Sequence, residues 1–332
     1  MSKINNLPND VLDNISKFAV PKNIANLRST SSKFQDVEFS FPISEVLKYL
    51  RLAIINNKVD IVISILSDGR YDEEIRNKFQ DANIYRTFMR DVIINMNDDP
   101  EIINYFVNNK GANLKFSNQI TGDTAVHLAV KYNKPNILIS LLKDYKLPAD
   151  GVKNSTFTPL IDALSQNTTH LDNVDQRNNI VKILIHYGAN VNYLHENSNI
   201  TPLSTALGNS NNNIEGIRLL LEKGAFVNSQ YGVTKASPLH ERVNYNTTNP
   251  LAIVELLNYG AKLDSVDYEF NTPLHKAVKR SKLSVVKILV HRIIDKKQYS
   301  LFFSKNKSGK IPLDMASEEN KKYIEAVMIV FS

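Results

Sequence analysis

Seven histidines are the residues of this 332-residue chain whose type most invites acid–base or metal chemistry. Three of them share a context: His127, His240 and His275 each stand three residues after a Thr or Ser, in Thr124-Ala-Val-His, Ser237-Pro-Leu-His and Thr272-Pro-Leu-His. An imidazole at a fixed distance from a hydroxyl, repeated along the chain, reads as a structural hydrogen-bonding group. His170, His186, His195 and His291 are scattered, with no metal-ligand spacing between them. There is no His-Glu-x-x-His helix, no Walker loop and no Gly-x-Gly-x-x-Gly turn. Cysteine is absent, which removes a thiol nucleophile, a Cys-ligated zinc or iron–sulfur site and a disulfide framework. It also removes prenyl and palmitoyl anchors. No catalytic residue, metal or cofactor is expected.

The elements that position these residues follow from composition and repetition. The chain is 42% hydrophobic, with no run of 18 apolar residues and no signal-peptide core, so it reads as soluble. Its net charge of +6 is unevenly placed. Residues 271–332 carry 13 Lys/Arg against 5 Asp/Glu, a local excess of +8, so the remaining 270 residues sum to −2.

Thr-Pro-Leu recurs at Thr158, Thr201 and Thr272, with degenerate copies at Thr124, Ser237 and Ile311. The steps between these six positions are 34, 43, 36, 35 and 39 residues. Five residues into most copies stands alanine: Ala129, Ala163, Ala206, Ala277 and Ala316, with Arg242 as the exception. An apolar helical stretch and Gly-Ala follow, as in IVKILIHYGANVN, GIRLLLEKGAFVN and AIVELLNYGAKLD. The physics of one unit is consistent with these letters. Thr caps a helix, Pro occupies its first turn where no N–H is needed, and a small Ala lets a neighbouring helix approach. Ile180, Ile183 and Leu184 form one apolar stripe of the second helix. Gly188, Gly224 and Gly260 supply its left-handed stop.

These units resemble the ankyrin repeat, of about 33 residues. Two weaker copies, Tyr49–Gly69 and residues 82–113, precede the clear ones, and the stretch from Ser308 reads as a cap. The resemblance implies an all-α solenoid of about eight helix-turn-helix units over 43–332. Two segments exceed the period. Ser165–Gln176 is a polar insertion between helices, and His291–Asn306 replaces the Gly-Ala stop; either contacts a partner or is tolerated surface.

Residues 1–42 do not fit the period. Leu7-Pro8 opens an amphipathic helix with Val11, Leu12, Ile15 and Phe18 on one face, broken at Pro21, and Leu27-Arg28 and Phe34 follow. This resembles the F-box, a three-helix module, with Thr30 where Val is usual and Phe34 in place of Trp. The resemblance implies docking of Leu7, Pro8, Val11, Leu12, Ile15, Phe18, Leu27 and Phe34 on the S-phase kinase-associated adaptor of SCF ubiquitin ligases. The other reading is a cap over the open end of the first repeat.

The expected function is that of a monomeric, non-catalytic substrate adaptor, which holds a target protein on its repeats near a ligase. The alternative is an ankyrin scaffold or stoichiometric inhibitor with no ligase docking. Target contacts are expected from hairpin tips and first helices, at Lys131, Tyr132, Tyr193, Tyr268, Glu269, Lys276, Lys279 and Arg280. Lys296, Lys297, Lys305, Lys307 and Lys310 extend the basic end, which would steer an acidic partner or serve as a solvated cap. Nucleic acid or anionic lipid is a minor expectation there, because stacking aromatics are few. An Asn-, Ile- and Lys-rich composition on this architecture resembles effectors of intracellular bacteria and host-range proteins of large DNA viruses, which implies a host protein as target and the host cytoplasm as location.

Overall fold

The computed structural model describes residues 43–66, 72–152, 155–165, 173–195, 199–208, 213–230, 232–244, 250–280 and 282–331. The whole F-box-like stretch, with its eight docking residues, lies outside them. The chain divides into two compact units, Met1–Leu147 and Pro148–Ser332. Among the described residues there is no strand, and the pairings Ser117–Thr124 and His195–Ile200 are isolated bridges.

In the N-terminal unit, α1 (Ile43–Ile55) and α2 (Val59–Leu66) form the first helix pair, and α4 (Ala82–Asn95) and α5 (Pro100–Lys110) the second. The third is α6 (Ala125–Lys131) with α7 (Pro135–Lys143). First helices stack on first helices, α1 on α4 and α4 on α6, while α5 packs on α7. A short helix that the period does not anticipate, α3 (Asp72–Lys78), packs on α1 and α5. Its sequence favours it locally: Asp72, Glu73 and Glu74 lie in the first turn and Arg76 and Lys78 in the last, which complements the helix dipole. Ile75 is its buried anchor.

In the C-terminal unit, α8 (Pro159–Leu164), α10 (Pro202–Gly208), α12 (Pro238–Asn244) and α14 (Pro273–Arg280) are the first helices. A 3-10 turn, Pro312–Met315, takes their place in the last repeat. The second helices are α9 (Val174–His186), α11 (Ile214–Glu222), α13 (Leu251–Asn258), α15 (Leu283–Asp295) and α16 (Glu318–Phe331). The described residues of the two units thus hold eight repeats, beginning near 43, 82, 125, 159, 202, 238, 273 and 312.

The core is built from the signature positions. Leu160, Leu203, Leu239 and Leu274 are buried with Ala163, Ala206 and Ala277. Each buried leucine contributes about 1.5–3 kcal/mol relative to exposure. Arg242, which stands where the period asks for Ala, is buried too, and its Nη1 donates to the Leu207 carbonyl at 3.2 Å. That carbonyl belongs to the last turn of α10, where no intrahelical N–H reaches it. Buried Arg177 serves the end of α8 in the same way, through the carbonyls of Ala163 at 3.2 Å and Ser165. Arg242 therefore exchanges packing volume for a carbonyl cap one repeat back, whereas Arg177 caps the first helix of its own repeat. The glycine stops are as expected, with Gly188, Gly224 and Gly260 at φ 89°, 82° and 87°.

Both long segments differ from the expectation. Asn173 caps α9 through the Asp175 N–H at 2.8 Å, so residues 174–176 are the helix's first turn; 166–172 lie outside the described residues. The segment 291–306 is not one loop. α15 continues to Asp295, and Tyr299–Phe303 winds into a 3-10 turn with Leu301 and Phe302 buried. Buried apolar side chains, which the polar flanks conceal in the sequence, order that stretch.

Candidate protein-binding surface

Five of the described repeats, those beginning near 125, 202, 238, 273 and 312, enter their first helix from a tight hairpin, or finger. Three residues before the helix start, the finger turns through the left-handed region: Gly122 (φ 73°), Asn199 (55°), Lys235 (47°), Phe270 (58°) and Gly309 (72°). Side-chain carboxylates and amides organise the turn. The Oδ1 of Asp267 accepts from the backbone N–H of Glu269 at 2.9 Å and of Asn271 at 2.8 Å, and Oδ2 accepts from Lys276 Nζ at 2.7 Å. Burial pushes the Asp267 carboxyl up, but the bonds from Lys276 and Asn271 outweigh it and hold the pKa below its ordinary value. In the next finger, Asn306 Oδ1 accepts from Ser308 and Lys310, each at 3.0 Å, and its Nδ2 donates to Asn271 Oδ1 at 2.9 Å.

The fingers of the C-terminal unit are stitched edge to edge. The Tyr268 N–H donates to the Thr234 carbonyl at 2.8 Å, Gln230 Nε2 to the Val266 carbonyl at 2.7 Å, and the Lys307 N–H to the Glu269 carbonyl at 3.0 Å. Three consecutive fingers, 228–237, 264–272 and 304–311, therefore form one ordered row. On it stand exposed apolar side chains: Val233 at 89% exposure, Tyr268 at 54% and Phe270 at 53%. Lys307 Nζ sits 3.5 Å from the Tyr268 ring centroid and 5.3 Å from that of Phe270. Cation–π contacts of this kind contribute about 0.5–1 kcal/mol when exposed.

His240 and His275 are buried structural groups that join the repeats of this row. His240 Nδ1 accepts from the Ser237 N–H at 3.2 Å, and Nε2 donates to the Asn271 carbonyl of the next repeat at 2.8 Å. His275 does the same with the Thr272 N–H and the Lys310 carbonyl, both at 3.1 Å. Burial lowers the pKa of both, and an Nδ1 already engaged as acceptor has no place for a second proton. His127 Nδ1 likewise accepts from the Thr124 N–H at 3.1 Å.

The expected target residues are spread over both units. Tyr268 and Glu269 lie on the finger row, both exposed. Lys276 is half-buried and committed to Asp267, so it holds the finger together instead of standing free in the groove. Lys279 and Arg280 are exposed in the last turn of α14. Tyr193 is half-buried on its own turn, its N–H bonded to the Asn190 carbonyl at 3.2 Å. Lys131 and Tyr132, in the other unit, end α6, with Lys131 paired to Asp123 at 2.8 Å. Sequence reasoning missed Phe270, Val233 and the ring contacts of Lys307. Aligning the repeats internally would have found Phe270, because it occupies the turn position that Gly122, Asn199 and Gly309 hold elsewhere.

Stacked helix pairs, His-capped first helices and hairpin fingers define an ankyrin-type fold, which typically serves as a binding scaffold. Residues 92–192 match the family model described as ankyrin repeats (3 copies), and residues 245–290 that described as ankyrin repeats (many copies). The ankyrin repeat protein R664 of Acanthamoeba polyphaga mimivirus is 34% identical over 138 residues, which is 41% of this chain and 78% of that protein. The chain belongs to the ankyrin-repeat family. Two solved structures share the fold. The human ASB11 ankyrin repeat domain aligns with TM-score 0.51 at 19% identity, covering 76% of this chain and 96% of that one. The ankyrin repeat domain of Bcl-3, described as a unique member of the IkappaB family, aligns with TM-score 0.52 at 20% identity, covering 76% and 97%.

Proposed function

We propose that this protein is a substrate-recognition adaptor, whose repeats hold a target protein while residues 1–42 dock on the adaptor subunit of an SCF ubiquitin ligase. The observation that carries the target-holding half is the ordered finger row with Val233, Tyr268 and Phe270 exposed on it, since exposed apolar side chains grouped on a rigid frame mark partner sites. The docking half rests on the Leu7-Pro8 start, the apolar stripe Val11, Leu12, Ile15 and Phe18, and the Leu27-Arg28 to Phe34 segment, placed directly before the repeats. On this reading the chain works as a monomer in a host cell's cytoplasm, as an effector or host-range protein, and the viral origin of R664 accords with that setting. A scaffold or stoichiometric inhibitor without ligase docking is the second reading, favoured by the departures at Thr30 and Phe34 from the F-box pattern.

The test is a pull-down of purified ligase adaptor subunit by the full chain and by a Leu7→Ala, Pro8→Ala double variant. Recovery by the wild type alone is the expected outcome, with a loss of about 30-fold or more if the pair is a hot spot. Equal recovery by both chains, or by neither, removes the docking half and leaves the scaffold reading.

A further inference from the structure

Phe270 is the least economical residue of the finger row. For an L-residue the left-handed region is sterically unfavourable, and an aromatic side chain, unlike that of Asn at 199, can form no local hydrogen bond with which to offset it. Its φ is 58°, yet more than half of the side chain remains in solvent. The fold therefore gains little burial from holding this ring in a strained turn, and the same turn is made by glycine at 122 and 309. Retained strain at an exposed position is a reason to look for function.

Its surroundings define what would bind. Tyr268 and Val233 extend the apolar strip, and Lys307 presents its ammonium over both rings. Lys235, Lys305 and Lys310 are exposed on the same three fingers. Against them stand Glu269 and Asp264, both exposed, while Asp267 is buried and occupied by Lys276 and Asn271. Lys307 makes no ion pair among the described residues, so its charge is met there by ring faces alone. A carboxylate brought to Lys307 would find an ammonium partly desolvated by aromatic surface, with apolar surface beside it.

We propose that Phe270, Tyr268, Val233 and Lys307 form the anchor for an acidic, extended segment of the target protein, with an apolar side chain of that segment on Phe270 and a neighbouring carboxylate on Lys307. The proposal rests on the reading of the finger row as the target surface and adds the chemistry of the target. An extended segment fits because the row is a line of three finger tips and not a pocket.

The experiment is selection of random 12-residue peptides displayed on phage against the immobilised full chain, followed by titration of the selected peptides into wild type, Phe270→Gly and Lys307→Glu. The expected result is enrichment of peptides with Asp or Glu flanking an apolar residue, and a loss of affinity of about 10-fold or more with each substitution. Phe270→Gly is expected to leave the thermal midpoint unchanged or raise it by roughly 2–4 °C, because the strain removed offsets the partial burial lost, so its loss of binding is not a loss of fold. Lys307→Glu, at an exposed position, decides the matter independently of any effect at Phe270. Selected peptides that are neutral or basic, or that bind both variants as well as wild type, overturn the anchor and leave target holding intact. Recovery of no peptide, with or without binding to phosphatidylserine vesicles, overturns the anchor and the target-holding reading together.

Discussion

Between the first two repeats of the N-terminal unit, the bridging side chains are Arg51 to Asp91 at 2.7 Å and Asn57 to Asn97 at 2.8 Å. Between first helices and fingers of the C-terminal unit they include His240 to the Asn271 carbonyl, His275 to the Lys310 carbonyl and a ladder of asparagines, while charged pairs, Arg218 to Glu255 at 2.7 Å and Lys182 to Glu215 at 3.3 Å, lie between its second helices. Asn192 donates to the Gly224 carbonyl and accepts from the Phe226 N–H; Asn228 repeats this with Gly260 and Lys262. One seam joins side chain to side chain and carries charge. The histidine and asparagine bonds of the other join neutral side chains to backbone. Backbone acceptors sit where the fold puts them whatever the sequence, so the second kind of seam can be repeated from unit to unit. A charged pair must be invented at each seam. This accounts for the contrast in legibility: the C-terminal unit repeats its signature, and the first two repeats of the N-terminal unit do not.

The largest expected effect breaks the neutral seam. His240 is 1% exposed and bonds at both ring nitrogens. His240→Ala leaves the Ser237 N–H without its partner, reduces the Asn271 carbonyl to its bond from the Asp267 N–H, and opens a cavity, for a loss of about 2–3 kcal/mol. Urea unfolding monitored by hydrogen exchange in α12 and α14 checks it. A loss within a few tenths of a kcal/mol would mean that apolar packing alone holds the seam.

Acid tests the same seam without removing atoms. The ordinary histidine value is 6.5, and burial lowers the folded-state values of His240 and His275 below it. The unfolded chain therefore binds protons first, and stability falls as pH drops below about 6.5 toward the folded values. Asp267 acts in a second window: its folded pKa lies below the ordinary 3.8, so its contribution is present above 3.8 and is lost below it. Thermal midpoints measured between pH 8 and pH 3 should show a decline beginning near 6.5 that is absent from a His240→Gln, His275→Gln variant. An equal decline in that variant would move the cause to other groups.

What the sequence made legible follows the same division. The repeat count, the glycine stops and the structural role of the histidines were readable because each is dictated by backbone geometry that recurs. α3 was not, because a single buried Ile75 between charged residues has no periodicity to detect. The burial of Leu301 and Phe302 was hidden by the lysines around them. For the binding surface, residue type identified Tyr268, but type alone also suggested Lys276, which is spent on Asp267. Phe270 required knowledge of its φ, which a residue's identity conveys only when compared with the glycines at the equivalent turns.

The smallest expected effect separates the two seams by salt. Arg51 is about half exposed and Asp91 is buried, so the pair is partly screened by solvent and contributes about 0.5–1 kcal/mol. Raising ionic strength from about 0.05 M to about 1 M shortens the screening length to about 3 Å and should remove part of that contribution. The neutral bonds of His240 and Asn228 have no net charge to screen. Hydrogen exchange at both salt concentrations should therefore show faster opening of α1 and α4 at high salt, with α12 and α14 unchanged or slightly slower. Equal acceleration in both pairs of helices would refute the claim that charge distinguishes the seams. Acceleration in neither would reduce the Arg51–Asp91 contact to geometry without energy, and the first seam would then rest on its apolar faces, Val46, Leu50 and Met89 among them.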